Sequence, residues 1–187
     1  MTMWLETSQR WLKHAVYRVR QFLVSLWPQV TAEQRALAAT WLPAHAAPLF
    51  ERMSQRDQWH SLNVLARVQQ AEPDQVDLFA AALLHDVAKT VQPGQRLQLY
   101  HRVLVVLMEA ARPGWVRQAA HDDINSWRYP FYLHLHHPEL GARLAEQAGC
   151  SPLTVELIRR HQDRLTHAPR DETERLLALL QAADDAS

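Results

Sequence analysis

The feature that most constrains this chain is a helical hydrophobic period that runs through almost its whole length. Apolar residues recur at three- and four-residue steps, and no segment of useful length alternates apolar and polar residues as a half-buried strand does. Only 4 of the 187 residues are glycine, which disfavours all-β folds and leaves no glycine-rich phosphate loop. The sequence therefore predicts an all-α fold, a helical bundle.

Capping residues and prolines divide this pattern into successive helices. Thr31, with Gln34 three residues later, has the spacing of a capping box, and Gly149 is placed to end a helix in the left-handed conformation. Further helices are expected over residues 57–70, after Asp74, over residues 97–111 following a turn at Pro93-Gly94, from His137-Pro138 to Gly149, after Ser151-Pro152 and after Asp171. Residues 121–136 show no period and are predicted to form a long, functional loop.

Residues 1–44 are predicted to be a helical extension to a domain that spans residues 45–187. An amphipathic helix begins near Trp4, carries Arg10, Lys13, Arg18 and Arg20 on its polar face and ends at Pro28. We expect this helix to pack on the core or on a second copy, and the second arrangement would give a homodimer. The alternative is a helix that lies on a membrane surface.

Charge, cysteine content and hydropathy exclude several classes of function. The 20 basic residues balance 20 acidic ones, so the chain lacks the excess positive charge typical of nucleic-acid-binding proteins. Cys150 is the single cysteine, which excludes an internal disulfide framework and a cysteine-based zinc site. No secretory pattern is present, and the longest apolar run, residues 78–84, is too short to cross a bilayer. We expect a cytoplasmic protein without a transmembrane span.

Candidate metal ligands occur in five separate stretches. The strongest local motif is His85-Asp86, which follows an apolar helix in the string AALLHDVAKT. Asp184 falls four residues after Leu180 on an apolar face, where a carboxylate is costly unless it is paired or binds a metal. A single histidine on such a face is more often a core residue, but the set as a whole is harder to explain that way. Its members are His60, His85, Asp86, His137, His161 and Asp184.

In this order, H…HD…H…H…D, the chain resembles the HD-domain metal-dependent phosphohydrolases over about residues 45–187. The strings that carry the resemblance are DQWHSLNVLARV (57–68), AALLHDVAKT (81–90), HHPELGARLAEQAGCSPLTVELIRRH (136–161) and LLALLQAADDAS (176–187). The resemblance implies a primary metal bound by four residues, which are His60, His85, Asp86 and Asp184. It also implies that Asp86 bridges to a second ion held by His137 and His161, with His137 preferred to His136 and Asp184 to Asp185.

The resemblance places Lys89 near the phosphate, and it suggests that Asp86 and Lys89 take part in catalysis. Mixed histidine and carboxylate ligands suit one or two divalent ions of Fe, Mn, Co, Ni or Zn. Arg128 could hold a substrate phosphate bidentately. Four aromatic residues beside it could stack on a base or simply fill the core, and these are Trp127, Tyr129, Phe131 and Tyr132.

The leading hypothesis from the sequence is an enzyme that hydrolyses a phosphate ester or anhydride through a metal-activated water. The expected partner is a phosphorylated small molecule, with a nucleotide favoured and no nucleic acid. A second hypothesis is an HD module that keeps its metals but senses a ligand or mediates interactions without turnover. A third is a purely structural bundle, which would leave Asp184 and His161 on apolar faces without a metal to compensate them.

Overall fold

The computed structural model describes residues 29–90 and 97–187, and every regular element in this part of the chain is helical. The elements in chain order are α1 (Ala32–Thr40), α2 (Ala47–Arg52), α3 (Gln55–Ala71), α4 (Val76–Leu84), a 3₁₀ turn (Val87–Lys89), α5 (Leu99–Ala111), α6 (Trp115–Ala119), α7 (Tyr129–Gln147), α8 (Pro152–Arg160) and α9 (Glu172–Asp185). The prediction of an all-α fold is confirmed.

Helix α4 lies at the centre of the fold. All seven residues from 78 to 84 are buried, as expected for a helix that is apolar on every side and surrounded by others. Helices α2, α3, α8 and α9 pack against it, and α7 packs along α8 and the 3₁₀ turn. Because α4 leads directly into His85 and Asp86, the burial of this helix carries both side chains into the interior.

Several helix ends follow the capping residues that the sequence indicates. The Thr31 hydroxyl accepts a hydrogen bond from the Gln34 N–H, and the Gln34 side chain accepts one from the Thr31 N–H, which completes the capping box of α1. Ser151 caps α8, with Pro152 in its first turn, and Asp171 caps α9. Gly149 follows α7 with φ +78°, the left-handed conformation that glycine adopts without strain.

The start of α7 differs from the prediction. The helix begins at Tyr129 and contains both His137 and Pro138, so residues 129–136 are helical and the irregular segment ends at Arg128. Pro130 occupies the first turn, where the missing proline N–H leaves no helical hydrogen bond unmade. The prediction that this helix starts at His137-Pro138 was wrong.

Two other boundaries differ by smaller amounts. Asp74 does not cap α4, because the N-cap is Gln75 and makes no side-chain hydrogen bond there. Helix α3 begins at Gln55 rather than residue 57, because the Ser54 hydroxyl accepts a hydrogen bond from the Asp57 N–H and so fixes the first turn.

The predicted N-terminal helix and the predicted turn at Pro93-Gly94 lie outside the described residues. Ala38 and Leu42 join the same core as α3 and α4, so the packed unit includes residues that precede 45. The division between residues 44 and 45 stays a prediction. Of the helices that the structure describes, none has the length and apolar character needed to cross a membrane.

Gly141 marks a close approach between α7 and its neighbours. A Cβ atom at this position would lie 3.4 Å from both Ile158 Cγ2 and Val87 Cγ1 and 3.7 Å from the His85 carbonyl oxygen. The methyl group of alanine would lie in ordinary van der Waals contact with these atoms, whereas the extra methyl groups of valine would overlap them.

We expect Gly141→Val to lower the free energy of unfolding by about 1–3 kcal/mol, the usual result of overpacking. Gly141→Ala serves as the control and should be neutral or stabilising, because alanine is the better helix former. Urea unfolding monitored by circular dichroism measures both variants. A valine variant as stable as the wild type would show that α7 and α8 can separate freely.

Candidate metal centre

His85 and Asp86 point into one site because the helix changes form where they lie. His85 keeps right-handed helical dihedral angles as the C-cap of α4, whereas Asp86 opens to φ −101° and ψ 6° before the 3₁₀ turn. Adjacent side chains on a continuous α-helix would point about 100° apart. Here His85 Nε2 lies 3.7 Å from Asp86 Oδ2, and the two residues are 0% and 2% exposed.

His60 of α3 and Asp184 of α9 complete a first group of ligand atoms. His60 Nε2 lies 2.8 Å from Asp184 Oδ1 and 3.3 Å from His85 Nε2. Asp184 Oδ1 is also 3.6 Å from His85 Nε2. The next residue along α9, Asp185, is exposed, so the structure places Asp184 rather than Asp185 with the histidines.

Asp86 also faces a second group, formed by His137 of α7 and His161 at the end of α8. Its Oδ1 atom lies 3.5 Å from His137 Nε2 and 3.8 Å from His161 Nε2. Atoms of Asp86 and these two histidines lie within 4.8 Å of one another, and the same holds for Asp86 with His60 and His85. The structure therefore brings all six sequence-predicted ligands together, with Asp86 shared by both groups. His136 is exposed.

Three of the histidines are oriented by the same contact. The Nδ1 atoms of His85, His137 and His161 lie 3.0, 2.8 and 2.7 Å from the carbonyl oxygen three residues earlier. A carbonyl can only accept a hydrogen bond, so Nδ1 carries the proton and Nε2 presents its lone pair to the site. Hydrogen bonds of this kind usually fix the tautomer of a metal-binding histidine.

Pro138 provides the acceptor for one of these contacts. In a regular helix the N–H of residue 138 would bond to the carbonyl of His134, but proline has no N–H. The His134 carbonyl accepts from His137 Nδ1 instead. The proline inside α7 thus leaves a backbone acceptor available to the neighbouring histidine.

The spacing of these groups fits a metal ion. Two ligand atoms about 2.1 Å from one ion at a tetrahedral angle lie about 3.4 Å apart, close to the separations of 3.3 to 3.8 Å that join most neighbouring ligand atoms here. Among the described residues Asp86 Oδ1 is buried without a hydrogen-bond partner, and the Nε2 atoms of His137 and His161 lie 3.5 and 3.8 Å from it. The Gln162 amide donates to His137 Nε2 at 3.2 Å. A cation among these three acceptors would compensate a costly arrangement.

The electrostatic surroundings keep the donors in the forms that bind metals. Burial alone would raise the pKa of Asp86, but the nearby charges of Lys89 and His85 hold that pKa well below its ordinary value. Burial lowers the pKa of His161 to about 3 and also lowers that of His137. Near pH 7 these shifts leave Asp86 ionised and His137 and His161 neutral, which are the ligand forms that metal binding requires. Burial alone would lower the pKa of His85, but the carboxylates of Asp86 and Asp184 raise it above its ordinary value.

A cavity of about 260 Å³ opens beside the first group. Lys89 lines it, and its Nζ atom lies 2.6 Å from Asp86 Oδ2. Arg102 of α5 also lines it and forms an ion pair of 2.6 Å with the buried Asp57. The remaining lining residues are Arg56, Asp57, Trp59, His60, Asp86, Asp184 and Ser187.

Sequence reasoning found Lys89 in this cavity but missed Arg56, Trp59 and Arg102. Arg56 lies four residues before His60, one helical turn away on the same face of α3, and this spacing was a usable signal. Arg102 belongs to a helix more than forty residues further along the chain, and no local pattern connects it with His60.

A second cavity of about 840 Å³ lies on the other side of Asp184. It reaches from Asp184 to His161 and is bounded by the segment that joins α8 to α9, including Gln162, Arg164 and His167. Both cavities have Asp184 among their lining residues.

Arg128 is the N-cap of α7 and is not among the residues that line either cavity. Its Nε atom donates to the Ala119 carbonyl at 2.5 Å, and Nη2 donates to the Gln118 carbonyl at 2.7 Å. A guanidinium that satisfies the last carbonyl groups of a helix acts as a cap. These contacts favour a structural role for Arg128, and its predicted contact with a phosphate is untested.

Comparison with protein-family models matches residues 56–187 to the HD domain. The match covers more than half of the chain, which therefore belongs to the HD-domain family, as predicted from the sequence. Searches of curated proteins and of solved structures gave no match. HD-domain proteins are generally metal-dependent phosphohydrolases, and the His and Asp cluster of this chain could hold a metal ion.

We expect Asp86→Asn to remove most of the bound metal while preserving side-chain volume, because Asp86 contributes to both groups. His137→Ala should instead leave about one ion per chain, because the first group does not include His137. Elemental analysis after dialysis against each divalent transition metal measures both. Equal metal content in Asp86→Asn and wild type, or complete loss in His137→Ala, would contradict the arrangement of two groups.

We expect Pro138→Ala to weaken the second group only. The new N–H would compete with His137 Nδ1 for the His134 carbonyl, so the orientation of the imidazole would be less well fixed. Loss of such a supporting contact typically reduces metal affinity about 10- to 100-fold, and competition with a chromophoric chelator would report this loss. Retained affinity at both groups would show that packing alone orients His137.

Proposed function

We propose that this chain is a metal-dependent phosphohydrolase that cleaves a phosphate ester or anhydride, with a nucleotide as the favoured substrate. The observation that carries the proposal is a cluster of six ligand-type residues in two groups that share Asp86, beside a cavity lined by three cationic side chains. The first group would hold one divalent transition-metal ion through His60, His85, Asp86 and Asp184. The second group would hold another through Asp86, His137 and His161.

When bound, such ions polarise the phosphoryl group and lower the pKa of water so that it can attack phosphorus near neutral pH. Lys89 would then act directly on the substrate. Its side chain is only 14% exposed and extends along the edge of the cavity. From there the ammonium group can donate to a phosphoryl oxygen and stabilise negative charge that develops during the reaction.

Arg56 and Arg102 supply further positive charge for the rest of the substrate. Within the part of the chain that the structure describes, Arg56 has no ion-pair partner, so its guanidinium is available to a phosphate. Arg102 already pairs with the buried Asp57, and this pair fixes its position at the cavity wall. Carboxylates of Asp86 and Asp184 face the same cavity, and bound metal ions would offset their charge.

The sizes of the two cavities support a substrate with an organic part of nucleoside size. About 260 Å³ beside Lys89 falls below the usual range of small-molecule pockets, which begins near 300 Å³. About 840 Å³ on the other side of Asp184 falls within that range. We propose that the phosphate lies in the smaller cavity and that the organic part extends into the larger one.

We expect Arg56→Gln to lower kcat/KM for a nucleoside phosphate about 10- to 100-fold, the usual effect of losing a charge-assisted hydrogen bond. Lys89→Met should lower kcat on both a nucleotide and p-nitrophenyl phosphate, because Lys89 acts at the reacting phosphoryl group. Arg128→Ala is the matched comparison. A loss in that variant would restore the phosphate contact predicted from the sequence, and no loss would favour the capping role.

Assays with added Mn²⁺, Fe²⁺ or Co²⁺ test the proposal as a whole. A metal-loaded protein that turns over no phosphate ester or anhydride, but whose melting temperature rises with nucleotide, would contradict hydrolysis. That outcome would favour the alternative of a sensing HD module, because ligand binding stabilises the folded state whether or not chemistry follows.

A further inference from the structure

Gln162 connects the larger of the two cavities with the second group of ligands. It follows His161 directly, at the turn where α8 ends, and it is one of the residues that line the larger cavity. Gln162 as a whole is exposed, yet its side-chain amide reaches the fully buried His137 and donates to Nε2 at 3.2 Å. An exposed side chain is therefore in direct contact with a candidate metal ligand.

The chemistry of this contact leaves one direction for the hydrogen bond. The Nδ1 atom of His137 donates to the His134 carbonyl, so Nε2 is the unprotonated nitrogen and can only accept. The amide nitrogen of Gln162 can only donate. Its N–H therefore engages the same lone pair of His137 that an ion in the second group would need, and both cannot use that lone pair at once.

The first group of ligands has a different kind of contact. The Nε2 atoms of His60 and His85 lie 2.8 and 3.6 Å from Asp184 Oδ1. These contacts join one candidate ligand to another, so an ion placed among the three would draw on all of them. The contact of His137 with Gln162 differs, because an amide nitrogen has no lone pair to offer a metal ion. An ion can bind His137 only after the amide has moved away.

The backbone around Gln162 is held in place, whereas its side chain can turn. The Gln181 side chain of α9 donates to the carbonyl oxygens of His161 and Asp163 at 3.1 and 2.5 Å, and these are the residues on either side of Gln162. The hydrogen bonds fix the turn at the border of the larger cavity. Because Gln162 is exposed, rotation about its side-chain bonds would release His137 without any movement of the helices.

We propose that Gln162 sets how tightly the second group holds its ion, because its amide competes with that ion for His137. A neutral hydrogen bond changes an equilibrium constant about 2- to 12-fold, which weakens binding of the ion without excluding it. Asp86 Oδ1 has no hydrogen-bond partner among the described residues, and an amide on His137 does not supply one, so the cation remains the better occupant. This role rests on the metal centre of the proposed function, but it concerns occupancy rather than hydrolysis.

Competition between the full-length protein and a chromophoric chelator for Zn²⁺ measures the affinity of each group. Gln162→Leu keeps a side chain of similar size but removes the donor, so the second Zn²⁺ should bind about 2- to 12-fold more tightly while the first is unchanged. Gln162→Glu should tighten the second ion at least as much, because a carboxylate can itself bind zinc. A second ion that binds equally or more weakly in Gln162→Leu, or that binds in no variant, would overturn the proposal.

Two controls identify the binding step concerned. His137→Ala removes the atom for which the amide and the ion compete, so adding Gln162→Leu to this variant should change the affinity of the remaining ion less than about twofold. Gln147→Leu is the matched control on an exposed glutamine of α7, about 15 Å along the helix from His137, and it should leave both ions unchanged. Equal tightening in Gln147→Leu, or tightening that persists without His137, would contradict competition at His137.

Nuclear magnetic resonance follows the amide itself. The side-chain amide signal of Gln162, assigned by its loss in Gln162→Leu, should move during addition of the second equivalent of Zn²⁺ and not during the first. A signal that moves with the first equivalent, or with neither, would show that the amide does not yield to the second ion and that the proposal is wrong.

Turnover assays separate this role from the proposed hydrolysis. A chain that hydrolyses a phosphate ester, but whose second ion is indifferent to Gln162→Leu, would refute the role of Gln162 and leave the proposed function standing. The expected change in zinc affinity in a chain without turnover would support the role of Gln162 and refute hydrolysis.

Discussion

A carboxylate buried in an apolar core is the constraint on which the rest of this structure depends. Asp86 follows the most buried helix of the fold and is itself 2% exposed, and removing an ionised group from water costs several kcal/mol unless partners compensate it. Lys89 compensates one oxygen at 2.6 Å. The other oxygen faces His137 of α7 and His161 of α8 and has no hydrogen-bond partner among the described residues, so a bound cation would complete the compensation. The helices that pack around α4 therefore do two things at once, since they close the core and they bring ligands to one residue.

Three of the four histidines in this cluster are oriented by contacts with the local backbone, whereas His60 contacts the side chains of Asp184 and His85. His85 and His161 are helix C-caps, and each donates from Nδ1 to a carbonyl of the last turn. His137 lies in the middle of α7, where a proline leaves an equivalent carbonyl available. Each arrangement presents Nε2 inward with a fixed tautomer. The C-terminal ends of α4 and α8, together with the proline inside α7, thus determine where these three Nε2 atoms lie.

The order of histidines and aspartates was sufficient to predict the family and the residues that converge, because those residues are ones that a buried apolar face does not otherwise tolerate. Helix caps with polar side chains were equally readable, as at Thr31 and Asp171. The start of α7 was not, because a proline at either position 130 or 138 is compatible with the first turn of a helix, whereas Pro138 lies inside α7. Arg102 was missed for a different reason. It lines the cavity while paired with Asp57, which lies 45 residues earlier in the sequence. An ion pair between such distant residues produces no periodic pattern in the sequence.

The ion pair between Lys89 and Asp86 bears on whether the chain needs a metal ion before it can fold. Many small metalloproteins cannot fold until their ion arrives, because the ligands repel one another without it. Here an internal ammonium group already neutralises the central carboxylate, and His60 likewise pairs with Asp184. These two pairs would lower the repulsion among the ligand atoms in a chain that folds before it binds a metal. If the site then holds an ion, the metals that the compartment supplies would decide which one, because mixed nitrogen and oxygen ligands discriminate weakly among neighbouring transition metals.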